Sequence, residues 1–340
     1  MPTAGGEFVS LIKRHLHVAG YVLTVILPAL LRTRRRPVIF SRFAGLGDII
    51  STFPAALELK KRHPHACCIY NCAASFACLP ALGGVTEQVT HLRPIGLVGH
   101  WYGWLLSGYY NFGSDDDDFT ADHREPFLLG YARRQGVMVA VEHPRLQNRP
   151  EVLAAMEQLR EKRGWHDGPL VLIHPGPTWP VKQWPQASWT ALVQQLRQRG
   201  VHHLVQLGSS AGGYTNLGAG GTPAIPDVVS LVDKLSLEES LALISLADLF
   251  VGIDSGLLHA AVSFRVPAVG VWGATSPKFL FAESEARDFV VSPVACQGCH
   301  HRFPRLHNIT GCPHDIRCMP AVAVPDVLRA CCRLLRLPTK

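Results

Sequence analysis

Charged side chains are scarce in this chain, at 17% of its 340 residues, and the shortage falls on acids, with 26 Asp and Glu against 33 Lys and Arg. The resulting net charge of +7 favours acidic partners such as nucleic acid, anionic lipid or phosphorylated sugars. No RNA- or DNA-binding signature is present, and the basic residues gather near the N-terminus, so nucleic acid is set aside in favour of lipid or glycolipid. A dinucleotide oxidoreductase would carry three spaced glycines followed by an acid, and Gly45-Leu46-Gly47-Asp48 lacks the third glycine. Nothing resembles a D-x-D metal clamp. Asp115 to Asp118 are four consecutive carboxylates that point apart and repel one another, so they read as a solvated loop. What is abundant is apolar surface: 47% of the residues are hydrophobic, enough for two globular domains with their own cores.

Leu16 to Leu31 carries no formal charge, and Arg32, Arg34, Arg35 and Arg36 follow at once. A helix over that run is about 24 Å long, shorter than the roughly 30 Å of a bilayer's hydrocarbon core. No A-x-A-like cleavage site follows, and arginines after an apolar run oppose translocation. Residues 1–36 therefore read as a membrane-associating segment, an interfacial helix with a polybasic flank on the cytoplasmic leaflet. A helix packed on the first domain is the alternative.

Beyond it, strands alternate with helices, the pattern of parallel sheets. Val38 to Ser41 reads as a buried strand, Arg42 to Asp48 as its loop, and Ile49 to His63 as a helix ended by Pro64. Trp101 to Phe112, aromatic and glycine-rich, either lines a cleft or is a packed loop. A linker over 146–168 separates a domain at 37–145 from one at 169–325, and 326–340 forms a last helix and tail. The second domain opens on the strand Leu170 to His174 and a loop carrying Thr178, Lys182 and Trp184-Pro185. Ser236-Leu237-Glu238-Glu239 is a capping box. Leu249 to Pro277 then reads as strand, Asp254-Ser255-Gly256 turn, helix carrying His259, and strand. Such a turn places backbone N–H groups and the positive end of a helix where an anion can sit.

The Asp254-Ser255-Gly256 turn with His259 beyond it, Pro267-Ala268-Val269-Gly270-Val271-Trp272-Gly273, His174-Pro175-Gly176, Lys182-Gln183-Trp184-Pro185 and the first loop Ser41 to Ile50 together resemble glycosyltransferase family 9, the bacterial ADP-heptose:lipopolysaccharide heptosyltransferases. The resemblance covers roughly residues 37 to 335. It implies a GT-B fold, two Rossmann-like α/β domains facing across a cleft, with the acceptor on the first and the donor on the second. It implies an inverting transfer of a sugar from a nucleotide diphosphate, ADP-heptose foremost, to a lipopolysaccharide-core or other glycan or glycolipid acceptor. Asp48 is then the base, beside the acceptor-side residues Arg42, Gly45 and Gly47. Thr178, Lys182, Asp254, Ser255, Gly256, Leu257 and His259 hold the donor, with no catalytic cofactor. The chain departs from the family where an acid commonly follows the strand ending at Gly208, offering Ser209-Ser210-Ala211-Gly212-Gly213 instead. That leaves open a catalytically idle sugar sensor or scaffold, and a transferase acting on a protein.

Ten cysteines are many for a cytoplasmic protein, the compartment that a nucleotide-sugar donor implies, at the inner membrane's surface. Cys67, Cys68, Cys72 and Cys78 read as buried thiols. Cys296-Gln297-Gly298-Cys299 followed by Cys312 and Cys318 is a set that could hold structural zinc or iron, remain as thiols, or form disulfides.

Overall fold

A computed structural model describes residues 15–91, 102–114, 126–176, 179–210, 222–301 and 312–338. The chain divides into two compact units, one of Met1–Asp118 with Leu128–Ala140, the other of Phe119–Phe127 with Val141–Lys340. Asp115 to Asp118 and Thr178 lie outside the described residues.

The first unit runs α1 (His15–Thr33), β1 (Pro37–Phe43), α2 (Leu46–Arg62), β2 (Cys67–Asn71), α3 (Leu79–Leu82), β3 (Val89–Thr90), β4 (Gly108–Ser114) and α4 (Phe127–Arg134). Its strands form a parallel sheet in the order β3-β2-β1-β4. β1 is buried on both faces, as a central parallel strand must be. The stretch from Trp101 to Phe112, read as a cleft lining or a packed loop, supplies most of β4, because Tyr109, Tyr110 and Asn111 pair with Ile39, Phe40 and Ser41.

One described helix, α1, is long and apolar enough by length and composition to cross a membrane. It exceeds its uncharged run by His15, Arg32 and Thr33, and π-turns over Val22–Ile26 precede Pro28, whose ring would otherwise meet a carbonyl four residues back. Val18, Tyr21, Val22, Ile26 and Ala29 pack against Ile39, Cys67, Ile69 and Leu106, whereas Leu16, Leu23 and Leu31 are 68%, 63% and 80% exposed. The helix thus has one apolar stripe inside and a second outside.

The second unit runs α5 (Pro150–Lys162), β5 (Leu170–His174), α6 (Gln186–Gln198), β6 (His203–Gln206), β7 (Val229–Ser230), α7 (Leu237–Ser245), β8 (Leu249–Ile253), α8 (Gly256–Ser263), β9 (Ala268–Trp272), β10 (Val290–Val291) and α9 (Val324–Leu335). The parallel sheet has the order β10-β9-β8-β5-β6-β7. Counted from β5, that is 3-2-1-4-5-6, the doubly wound order of dinucleotide-binding folds. Strand order reverses between β5 and β8, and ligands of such sheets bind outside the carboxyl ends there. The residues 146–168, read as a linker, belong to this unit. Leu146 N–H donates to Ser263 O (3.2 Å), and Arg160, on α5, donates to Leu246 O (3.1 Å) just past α7. The capping box at Ser236 and Glu239 forms as read, with both reciprocal bonds present.

Candidate active site

Two loops leave the sheet's reversal point. The first follows β5, whose last residue, His174, is buried, lies within hydrogen-bond distance of Leu207 O through Nδ1 (3.1 Å), and has its pKa pulled down to about 4, chiefly by burial. His174 is therefore a neutral strut between β5 and the residue after β6. Here backbone crowding demands glycine. Gly208 has φ +156°, and a Cβ there would lie 2.5 Å from Thr222 Oγ1 and 2.9 Å from Gly176 O. Farther along, Lys182 Nζ sits 4.5 Å above the ring of Trp179.

The second loop follows β8 and carries Asp254, 5% exposed. Lys182 Nζ lies 2.7 Å from Asp254 Oδ2. Burial pushes the Asp254 carboxyl up, but Lys182, His259 and Thr275 beside it outweigh that and hold it below the usual range. Ser255 is the N-cap of α8, and its carbonyl accepts the first helical bonds, from Leu258 N–H (3.1 Å) and His259 N–H (3.3 Å). The amides of Ser255, Gly256 and Leu257 therefore precede the hydrogen-bonded ladder at the positive end of the helix. The structure thus gathers Lys182, Asp254, Ser255, Gly256, Leu257 and His259 at one strand edge. Their charges are already matched, because the ammonium expected to face a ligand is paired with Asp254.

Three residues escaped the sequence reading. His143 Nδ1 donates to Glu285 Oε2 (2.9 Å), and His143 Nε2 lies 2.8 Å from His259 Nδ1. His143 and Glu285 are 142 residues apart, and neither sits in a motif. Asp233, just beyond β7, accepts the Ser210 amide at 2.9 and 3.1 Å through its two oxygens, and the Ser210 hydroxyl, then this amide, hold its pKa down. A carboxylate thus reaches the loop after β6 from a neighbouring connection, where the sequence showed only small residues.

In the first unit, Asp48 follows the corresponding strand, β1, at that sheet's own reversal point between β1 and β4. Arg42, read as a loop residue, lies on β1 and is buried. The ladder continues past Ser41 through a register shift to pair Phe43 with Ser114. Arg42 Nη1 donates to Phe112 O (3.3 Å), its guanidinium lies 5.0 Å from the Tyr131 ring centroid, and Nη2 is 3.7 Å from Asp48 Oδ1. Gly45 is the N-cap of α2 with φ −63°, and Gly47 and Asp48 lie in the helix's first turn rather than in a loop. The Asp48 side chain is 31% exposed, so it is held on one side and open on the other. A cavity of about 590 Å³ in this unit is lined by Thr33, Arg35, Lys60, Cys67 and Gln88 among others. It lies at the amino ends of the strands, away from Asp48.

All ten cysteines are free thiols, which excludes disulfides in this structure. Among the described residues, no three His, Cys, Asp or Glu side chains are arranged to hold a metal ion. Cys296, Cys299, Cys312 and Cys318 are nevertheless neighbours: the Cys318 thiol is pushed up to about 11 by burial, then by Cys299, Cys312 and Cys296. Cys299 N–H donates to Cys296 O (3.2 Å), and His314 N–H approaches Cys312 Sγ (3.4 Å). The segment packs on the turn after β9 through Gly298 N–H to Gly273 O (3.2 Å) and His300 N–H to Ala274 O (2.9 Å). The His300 ring lies 5.0 Å from that of Trp179, which carries Lys182.

A family profile described as glycosyltransferase family 9 (heptosyltransferase) matches residues 132–309. Lipopolysaccharide heptosyltransferase 1 of Pseudomonas aeruginosa is 31% identical over 130 residues, 38% of this chain but only 36% of that relative. The autotransporter heptosyltransferase TibC of Escherichia coli O78:H11 is 26% identical over 304 residues, 84% of this chain and 69% of that one. A crystal structure of TibC, described as an iron-containing dodecameric glycosyltransferase, superposes with a TM-score of 0.67 at 19% identity, covering 89% of this chain and 76% of that one. TibC has also been solved with ADP-D-β-D-heptose. A family 9 glycosyltransferase from Veillonella parvula superposes with a TM-score of 0.64 at 15% identity, covering 88% of this chain and 97% of its own. These structural likenesses show the fold, mixed α/β with parallel sheets of the GT-B kind.

Proposed function

The chain belongs to glycosyltransferase family 9, the heptosyltransferases, and on that premise we propose that it transfers a heptose from an ADP-linked donor to a glycan acceptor. The observation that carries this reading is the meeting of Lys182, Asp254 and the amino end of α8 at the reversal point of a 3-2-1-4-5-6 sheet. The sheet edge offers a nucleotide its customary place, and the helix end offers hydrogen-bond donors for a diphosphate. Asp254 turns toward sugar hydroxyls once a diphosphate draws Lys182 from it.

Transfer is by direct displacement with inversion. Asp48 takes the proton of the attacking acceptor hydroxyl, the new bond forms at the anomeric carbon, and the bond to the diphosphate oxygen breaks. The leaving charge is met by Lys182 and the amides of Ser255 to Leu257, with Thr178 from the same loop as Lys182. Arg42 keeps Asp48 in place from a buried position. A lipopolysaccharide-core acceptor follows the family. A protein acceptor is the second reading, favoured because TibC, an autotransporter heptosyltransferase, aligns with 84% of this chain.

Two accessory readings go with it. The outer leucines of α1, with Arg32, Arg34, Arg35 and Arg36 after it, support a peripheral seat on an anionic cytoplasmic leaflet. The four thiols suit a structural iron or zinc, which would bind as a thiolate set and fix the segment under His300. That ion takes no part in the displacement.

Calorimetric titration of the full chain with ADP, UDP and ADP-heptose tests the donor assignment. ADP-heptose should bind at one site per chain, more tightly than ADP, and UDP should bind weakly. Equal affinity for ADP and UDP would refute an adenosine-linked donor.

A further inference from the structure

The buried network behind His259 fixes which of its two ring nitrogens carries the proton, and so what His259 can bind. Glu285 is its fixed point. Its Oε1 accepts the His143 backbone N–H (2.7 Å), and its Oε2 accepts the Ala282 N–H (3.1 Å) and the His143 ring (2.9 Å). Arg265 Nη1 lies 3.5 Å from Oε1, and Arg265 Nη2 donates to His143 O (3.0 Å). Arg265 has φ +62°, a left-handed conformation at a helix end where glycine is usual. The chain tolerates that strain at the residue whose guanidinium ties Glu285 to His143. Burial pushes Glu285 up, but the bonds to His143 and Ala282 bring it below the usual carboxylate range.

An ionised carboxylate only accepts hydrogen bonds. A neutral His143 therefore carries its proton on Nδ1, which leaves Nε2 as an acceptor. Its neighbour at 2.8 Å, His259 Nδ1, must then be the protonated one. Phe281 holds both rings to this alignment, with centroids 4.6 Å from His143 and 4.5 Å from His259. The consequence is a bare lone pair on His259 Nε2, the nitrogen not committed to the network. A lone pair can receive a hydroxyl proton but repels the oxygens of a phosphate, which are themselves acceptors.

We propose that Glu285 and His143 are positioning residues that lock His259 as a hydrogen-bond acceptor, so that it binds a hydroxyl of the transferred sugar and not the diphosphate. The inference rests on the donor-site reading above and sharpens it. Lys182 and the α8 amides supply donors for the phosphate, and His259 and Asp254 supply acceptors for the sugar.

The test has two arms on the full-length chain. Long-range proton–nitrogen NMR of histidine-labelled wild-type protein should show His259 protonated at Nδ1 and bare at Nε2. His143→Phe, which keeps an aromatic ring against Phe281 but removes the acceptor, should let His259 populate both tautomers. In titrations it should weaken ADP-heptose about five- to tenfold, the worth of one ordinary hydrogen bond, and leave ADP within about twofold. His143→Gln, whose carbonyl still accepts from Nδ1, should recover most of the loss, which a purely structural role for the histidine ring does not explain. A wild-type His259 protonated at Nε2, or equal losses for ADP and ADP-heptose in His143→Phe, overturns the inference alone. A wild-type chain that binds neither ligand overturns the donor-site reading and the hydroxyl assignment with it.

Discussion

Replacing Lys182 with Met tests how the proposed donor site is built before any ligand is added. Lys182 Nζ and Asp254 Oδ2 are 2.7 Å apart, with side chains 16% and 6% exposed, so water screens the pair poorly. Removing the ammonium leaves a carboxylate buried without its main counter-charge. Breaking such a pair from one side costs about 3–5 kcal/mol, whereas replacing both partners by apolar groups is often close to neutral. Lys182→Met should therefore be destabilised at neutral pH, and Lys182→Met with Asp254→Leu should recover most of the loss. The pH dependence should invert as well. In the wild type the Asp254 pKa is depressed, so its contribution is present above the unfolded value, about 3.9, and is lost as pH falls through the folded value. In Lys182→Met burial dominates and raises it, so the variant should regain stability as pH falls from about 8 to about 5. Urea unfolding followed by tryptophan fluorescence reads this, because Trp179, Trp184 and Trp189 all lie in the second unit. If Lys182→Met unfolds with the wild type at both pH values, the two charges are solvated independently and the paired site is wrong.

Asp48→Asn should lower turnover by a factor of about 10² to 10⁴, the usual worth of a general base, while leaving donor affinity within twofold. Normal turnover would make Asp48 a first-turn helix residue and nothing more. Reversing Arg32, Arg34, Arg35 and Arg36 to Glu should release the chain from anionic vesicles in co-sedimentation at low salt, since each basic residue contributes about 1 kcal/mol near such a surface. A wild-type chain that ignores those vesicles refutes the peripheral placement. Cys299→Ser should lower bound metal, measured by elemental analysis of protein purified without chelators, together with thermal stability. Wild-type protein with less than about half an equivalent of iron or zinc leaves the quartet as thiols.

The gathering of Lys182 and Asp254 at one strand edge was largely legible in the sequence because its parts are local. Lys182 and Asp254 each sit on a loop following an apolar strand, and parallel strands bring such loops to one edge. What could not be read was how the loops meet. Lys182 was expected to face a ligand, and its ion pair depends on which strands are neighbours, β5 beside β8. His143 and Glu285 were invisible for the same reason, each an isolated residue far along the chain from its partner. Arg42 was misplaced because a register shift, which has no sequence signature here, prolongs β1 by two residues beyond Ser41. The helix α1 was read too short because charge alone marked its limits, whereas the helix runs on through Arg32 to Thr33. The alternating strand and helix pattern, in contrast, carried the fold almost complete.

The central claim is that this chain moves heptose from ADP-heptose, and product analysis tests it most directly. Purified full-length protein is incubated with ADP-heptose and heptose-free lipopolysaccharide core or an autotransporter passenger. Released ADP and heptosylated acceptor are then quantified by mass spectrometry. The account predicts equimolar ADP and heptosylated product, abolished to within about a hundredth of wild type by Asp48→Asn. ADP-heptose bound but recovered intact with every acceptor would contradict it and leave a sugar-binding protein without transfer.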